Sequence, residues 1–164
     1  MIYLDNSATT RQDEAVTEVM LQYMRQDFGN PSSLYSLGVT AEKAVKEARK
    51  KVMKAMERSG GDFYFTSGGT EADSMAIFGA AMARKRRGKR VITSRAEHPA
   101  VLEACARLEE QGFDVVYIGV DEECRIDMKQ LREAVNEETI LITIMQVNNE
   151  TGTIMPIDEI AEIK

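Results

Sequence analysis

Histidine occurs once in the 164 residues, at His98, and cysteine twice, at Cys105 and Cys124. A single imidazole excludes a histidine-rich metal centre and a Ser-His-Asp triad built elsewhere in the chain, so any histidine chemistry is confined to one place. Two cysteines with no C-x-x-C spacing make neither a disulfide framework nor a zinc site, and they fit a reducing compartment. Positive charge is also short. With 21 Lys+Arg against 27 Asp+Glu the formal charge is −6, which excludes a generic cationic nucleic-acid binder. No apolar run approaches the roughly 20 residues of a membrane helix. Met1-Ile2-Tyr3-Leu4-Asp5 lacks the basic-then-apolar order of a signal or transit peptide. Neither a tandem repeat nor a low-complexity segment is visible. The expected location is the cytoplasm, with no nucleic-acid, membrane or metal partner. What remains, 43% hydrophobic and 29% charged residues, is the composition of an ordinary globular α/β chain.

Between Asp13 and Gln26 the apolar residues Val16, Val19, Met20, Tyr23 and Met24 fall on one helical stripe. A second helix is predicted from Gly38 to Met56, with Glu42, Lys43, Lys46, Glu47, Lys50 and Lys51 on a solvated face. After Ser59-Gly60-Gly61 the texture becomes that of repeating β-α units around a parallel sheet. Strands are expected at Phe63–Phe65, Arg90–Thr93, Val115–Ile118 and Thr139–Met145. Helices are expected at Glu71–Arg87, Ala100–Glu110 and Met128–Val135. The last strand is apolar almost throughout, which predicts cover on both faces and a central place in the sheet. The basic run Arg84 to Arg90 follows a helix that begins with Glu71 and Asp73, so it reads as macrodipole complementarity with a glycine stop rather than as a nucleic-acid patch. Residues 1–58 are thus expected to form a helical segment packing on a larger α/β domain that starts at residue 59.

Ligands of open α/β sheets bind outside the carboxyl ends of the strands, and three unusual segments lie there. Thr66-Ser67-Gly68-Gly69-Thr70-Glu71 joins a strand to a helix start. Its free amides and the hydroxyls of Ser67 and Thr70 can surround a phosphate, although a plain glycine turn capped by Ser67 or Thr70 explains it equally well. It is neither a Walker A loop nor a full G-x-G-x-x-G fingerprint. His98 precedes Pro99 at a helix start, where a histidine can cap as readily as catalyse. Asn148 and Asn149 end the last strand, where paired amides suit either a turn or a hydrogen bond to a ring hydroxyl or carboxylate.

Taken together, Tyr3-Leu4-Asp5-Asn6-Ser7-Ala8-Thr9-Thr10, Phe28-Gly29-Asn30-Pro31-Ser32-Ser33, Phe65-Thr66-Ser67-Gly68-Gly69-Thr70-Glu71, Glu97-His98-Pro99-Ala100-Val101-Leu102 and Val147-Asn148-Asn149-Glu150-Thr151-Gly152 resemble the NifS/IscS-like cysteine desulfurases, pyridoxal-phosphate enzymes of the class V aminotransferase group. The resemblance implies the large domain of fold type I, a three-layer α/β/α arrangement with a mostly parallel sheet. It implies that Gly69 and Thr70 hold the cofactor phosphate and that His98 stacks on the pyridine ring and moves protons. Asn149 would lie by the ring oxygen and the substrate carboxylate, with Ala8 and Thr9 on the substrate side. The implied reaction takes L-cysteine to alanine and an enzyme persulfide. That sulfur serves an acceptor or iron-sulfur scaffold protein, and the full-length form would be a homodimer.

The family's Schiff-base lysine, ring-nitrogen aspartate and persulfide cysteine all lie beyond the last residue of this chain, and none can be reassigned within it. Lys43, Lys46, Lys50, Lys51 and Lys54 belong to a charged helix face, Lys85 and Lys89 to a basic helix end, and Lys129 to a short helix. Cys105 interrupts an apolar stripe, and Cys124 is flanked by acids that disfavour a thiolate. Ser74 and Gln146 stand where many relatives carry asparagine and histidine. The sequence therefore reads as the N-terminal part of such an enzyme, inactive alone and inclined to associate through an open strand edge. Two alternatives stay open: another class V enzyme such as a selenocysteine lyase, and a non-catalytic phosphate-binding or docking module.

Overall fold

The computed structural model describes residues 2–163. They form two units, Met1–Phe65 and Thr66–Lys164. In the first unit, α1 (Glu14–Arg25) begins where the Asp13 carboxylate accepts the Ala15 amide, and it carries Glu14 and Arg25 at the ends that suit its dipole. The predicted stripe is present but bare. Val16 is 50% exposed and Met24 66%. α2 (Ser36–Ala55) starts two residues before the expected position. Its Gly38 is held by sterics, since a Cβ there would run into the Ser33 carbonyl oxygen.

Phe63–Phe65 forms no strand, contrary to expectation. The residues are extended, with the rings of Phe63 and Phe65 edge to face at 5.0 Å, but β-rich residues specify only an extended backbone. A strand also needs a neighbour to bond to, and none lies beside these residues among those described.

The second unit is a parallel sheet between helices, as the sequence predicts. Its elements are α3 (Gly69–Arg84), β1 (Arg90–Ser94), α4 (Pro99–Glu110), β2 (Asp114–Ile118), α5 (Met128–Ala134), β3 (Thr139–Thr143) and α6 (Ile157–Ala161). The sheet order is β2-β1-β3, with Val91 opposite Val115 on one side and Leu141 on the other. Val91 and Ile140 pack with Ile77 and Ala81 of α3 and Leu108 of α4. Ile92 and Ile118 pack on the other face with Leu131 of α5 and Ile160 of α6. Three layers result.

Within the sheet of this chain β1 is central and β3 lies at an edge, not centrally as its apolar run suggests but with the open edge expected of this chain. The apolar run of β3 reports cover on its two faces, Ile140 and Leu141 toward α3 and α4, and Ile142 toward α5 and α6. Faces and edges are independent, and a hydrophobic pattern reads only faces. The basic run is also more structural than its composition suggests. Arg90 binds Asp114 at 2.7 Å and the Ala134 carbonyl at 2.9 Å, and Arg84 reaches the Ile140 carbonyl. Gly88 does not cap α3, whose last residue is Arg84. It is glycine because a Cβ would strike the Glu138 carbonyl. Among the described residues no helix is long and apolar enough to cross a membrane.

Candidate functional site

The second unit brings the start of α3 beside the exits of β1 and β3. Helix α3 has Gly68 at its N-cap with no side-chain cap, and its first backbone bond runs from the Ala72 amide to the Gly68 carbonyl. The amides of Gly69, Thr70 and Glu71 precede that bond, as the geometry of an α-helix requires, and are free to donate. A Cβ placed on Gly68 or Gly69 would meet nothing within 4 Å, so this backbone faces open space. Ser67 is held inside the turn. Its amide and hydroxyl both donate to Glu71, at 2.6 and 2.7 Å, and these bonds hold the Glu71 carboxyl below the usual carboxylate range. The Ser67 hydroxyl is therefore committed within the turn, which leaves Thr70 as the free hydroxyl of the pair.

His98 caps α4. Its Nδ1 accepts the Ala100 amide at 3.1 Å, and Pro99 takes the first helical position. That bond places the proton of a neutral imidazole on Nε2. The exposed ring shares a cavity of about 460 Å³ with Thr70, Ser74, Phe78 and Ala104. Capping and exposure to a site coexist in one residue.

The paired amides divide their labour. Asn148 is buried, donates to the Ala96 carbonyl at 3.0 Å and accepts the amides of Glu150 and Thr151. Asn149 is exposed beside it, outside the cavity that holds Thr70 and His98. Ala8 and Thr9 lie in the first unit, exposed, on a turn whose Asp5 carbonyl accepts both their amides.

Sequence reasoning passed over Glu97. The residue is only 7% exposed, and its carboxylate accepts the Met145 amide at 2.7 Å and the Ser94 hydroxyl at 3.1 Å. The signal was the spacing Ser94-x-x-Glu97, which has the form of a capping box although no helix starts there. Burial pushes the Glu97 carboxyl above the ordinary range against those two bonds, and Asp73 adds to the rise. Between the ordinary and the raised value the folded state binds more protons than the unfolded chain, so stability declines as pH rises through that window and levels off above it. Glu97→Gln is expected to flatten this decline, as read from urea midpoints between about pH 4 and 7. An unchanged slope would mean that Glu97 is not its source.

Lys85 is the C-cap of α3, about 22 Å from Thr70 in its first turn at 1.5 Å per residue. Lys129 lies in α5 on the other face of the sheet. Among the described residues no lysine lines the cavity. Cys105 is fully buried, its thiol pushed up to about 11 by burial, which makes it a packing residue as the sequence suggested. No cluster of metal-ligating side chains is found among the described residues.

The model of the family described as Aminotransferase class-V matches residues 2–164. The chain is 52% identical over 162 residues to a protein named cysteine desulfurase IscS from Methanosarcina thermophila, covering 99% of this chain and 40% of that protein. Among solved structures it resembles a NifS-like protein at a TM-score of 0.92 and 38% identity, over 99% of this chain and 44% of the other. It also resembles one described as SspA in complex with cysteine, at 0.88 and 36%, over 98% and 46%. The chain thus spans about 40% of the length of the curated relative.

Proposed function

Because the chain belongs to the class V aminotransferase family, we propose that it supplies one wall of the cofactor site of a pyridoxal-phosphate-dependent cysteine desulfurase. One observation carries this reading: the uncapped start of α3 and the exposed imidazole of His98 lie at a single cavity. The donor set fits the cofactor. Free amides at a helix N-terminus and the Thr70 hydroxyl suit a phosphate dianion, an exposed imidazole suits the face of an aromatic ring, and a free carboxamide suits a ring oxygen or a carboxylate.

When bound, the cofactor supplies an electron sink for chemistry at the substrate α-carbon. The chain's own residues bind and orient. The Gly69 amide and the Thr70 hydroxyl and amide donate to phosphate oxygens at the positive end of α3. His98 lies against the ring, and its Nε2, the nitrogen left free by the cap, gives or takes a proton at the substrate. The Asn149 carboxamide donates to the ring oxygen and the substrate carboxylate. The substrate is L-cysteine and the products are alanine and protein-bound sulfur, destined for an acceptor or iron-sulfur scaffold protein. The whole enzyme acts as a cytoplasmic homodimer.

The test is a chimaera in which this chain replaces the matching N-terminal residues of the Methanosarcina thermophila relative. Alanine formation from L-cysteine is expected, and a folded, cofactor-loaded chimaera that yields none would refute the reading. Thr70→Ala should weaken cofactor binding about 10- to 100-fold, the effect of losing one hydrogen bond to a charged group. Equal affinity would remove Thr70 from the phosphate site.

A further inference from the structure

The exits of β1 and β3 are joined at two points: the Met145 amide donates to Glu97, and the Asn148 side chain donates to the Ala96 carbonyl. Immediately beyond these ties stand His98 on one side and Asn149 on the other. Glu97 has no cation within ion-pair distance among the described residues, so its buried carboxylate is held by neutral donors alone. Removing a partner from such a group leaves the Met145 amide unsatisfied and frees the turn it anchors.

We infer that Glu97 is the positioning residue of this site, a strut between the two strand exits that fixes the imidazole of His98 relative to the carboxamide of Asn149. This rests on the cofactor-site reading above and assigns Glu97 to recognition of the ring. Phosphate recognition is separate, because the amides that serve it belong to α3 and make no bond to Glu97. Loss of the strut therefore weakens binding of the whole cofactor while sparing binding of its phosphate. An amide in place of the carboxylate keeps an oxygen for the Met145 amide, so the strut survives in Glu97→Gln.

The experiment uses the cofactor-free chimaera and three probes. Pyridoxal phosphate binding is followed by the saturable change in its absorbance, inorganic phosphate binding by calorimetry, and the strut itself by exchange protection of the Met145 amide without ligand. In Glu97→Ala the expected results are a loss of Met145 protection, an affinity for pyridoxal phosphate lower by about 10-fold or more, and an unchanged affinity for phosphate. Glu97→Gln should restore both protection and affinity. If Glu97→Ala does not fold, Glu97→Asp replaces it, since its shorter side chain retains the charge but does not reach the Met145 amide. Pyridoxal phosphate binding that is equal in the parent chimaera and the truncated variant overturns the inference alone. So does an equal loss of both ligands, which is the mark of a general structural defect. A parent chimaera that binds neither ligand overturns the cofactor-site reading, and the inference falls with it.

Discussion

His98→Ala in the chimaera is expected to lower kcat/KM for alanine formation by about 10²- to 10⁴-fold, the range of a lost general acid–base. The same substitution also removes the cap of α4, because the Ala100 amide loses its Nδ1 acceptor, at a cost to stability of about 1 kcal/mol. Two effects are thus expected from one change, and a second variant separates them. His98→Asn keeps a side-chain acceptor of a type favoured at N-caps while removing the ring, so it should restore the thermal midpoint and leave the activity low. Recovery of both would show that the histidine serves only to start a helix. Recovery of neither would mean that the asparagine does not reach the Ala100 amide. The expected split follows from geometry: Nδ1 is taken by the cap, and Nε2 on the opposite side of the ring is left free.

The parallel sheet and its order of β-α units were legible in the sequence because each unit buries a distinct apolar face. Leu108 and Leu131 announce helices by period, and Val91 and Ile92 announce a strand covered on both sides. The rank of β3 in the sheet was not legible, since edge position depends on which backbones bond laterally and leaves no mark on side chains. Phe63–Phe65 misled for the same reason.

Thr70, His98 and Asn149 drew notice in the sequence as polar residues at expected strand exits, where ligands bind; all three are exposed, His98 and Asn149 beyond β1 and β3 and Thr70 at the start of α3. Ser67 stayed open between a phosphate contact and a turn residue. Its hydroxyl is equally competent to meet a phosphate or a nearby carboxylate, and four residues on Glu71 folds back to take it. Glu97 escaped notice because a buried carboxylate without a cation is unusual, and its partner, the Met145 amide, lies 48 residues away. Local pattern cannot report a contact of that span. The division between Asn148 and Asn149 was hidden similarly, since only the fold decides which of two adjacent carboxamides turns inward.

The second large effect is on stability. Leu108→Ala is expected to destabilise the second unit by about 3 kcal/mol, within the usual range for a buried leucine truncated to alanine. Leu108 is completely buried between α4 and the sheet, in one cluster with Ile77, Ala81, Val91 and Ile140. Those neighbours belong to α3, β1 and β3; Arg84 of α3 bonds the Ile140 carbonyl of β3, and Arg90 ties β1 to Asp114 of β2 and the Ala134 carbonyl of α5, so collapse around the void is restricted and the cavity cost persists. Leu131 is the matching test on the opposite face, also completely buried but packed with Ile92, Ile118 and Ile160. The two sites share no packing cluster, so their effects should add to about 6 kcal/mol, a large part of the 5–15 kcal/mol that holds a typical domain folded. The check is urea unfolding of the two single variants and the double, with midpoints shifting at constant slope. A double variant no less stable than either single would show that the two leucines belong to one core, which a sheet between two helical layers does not permit.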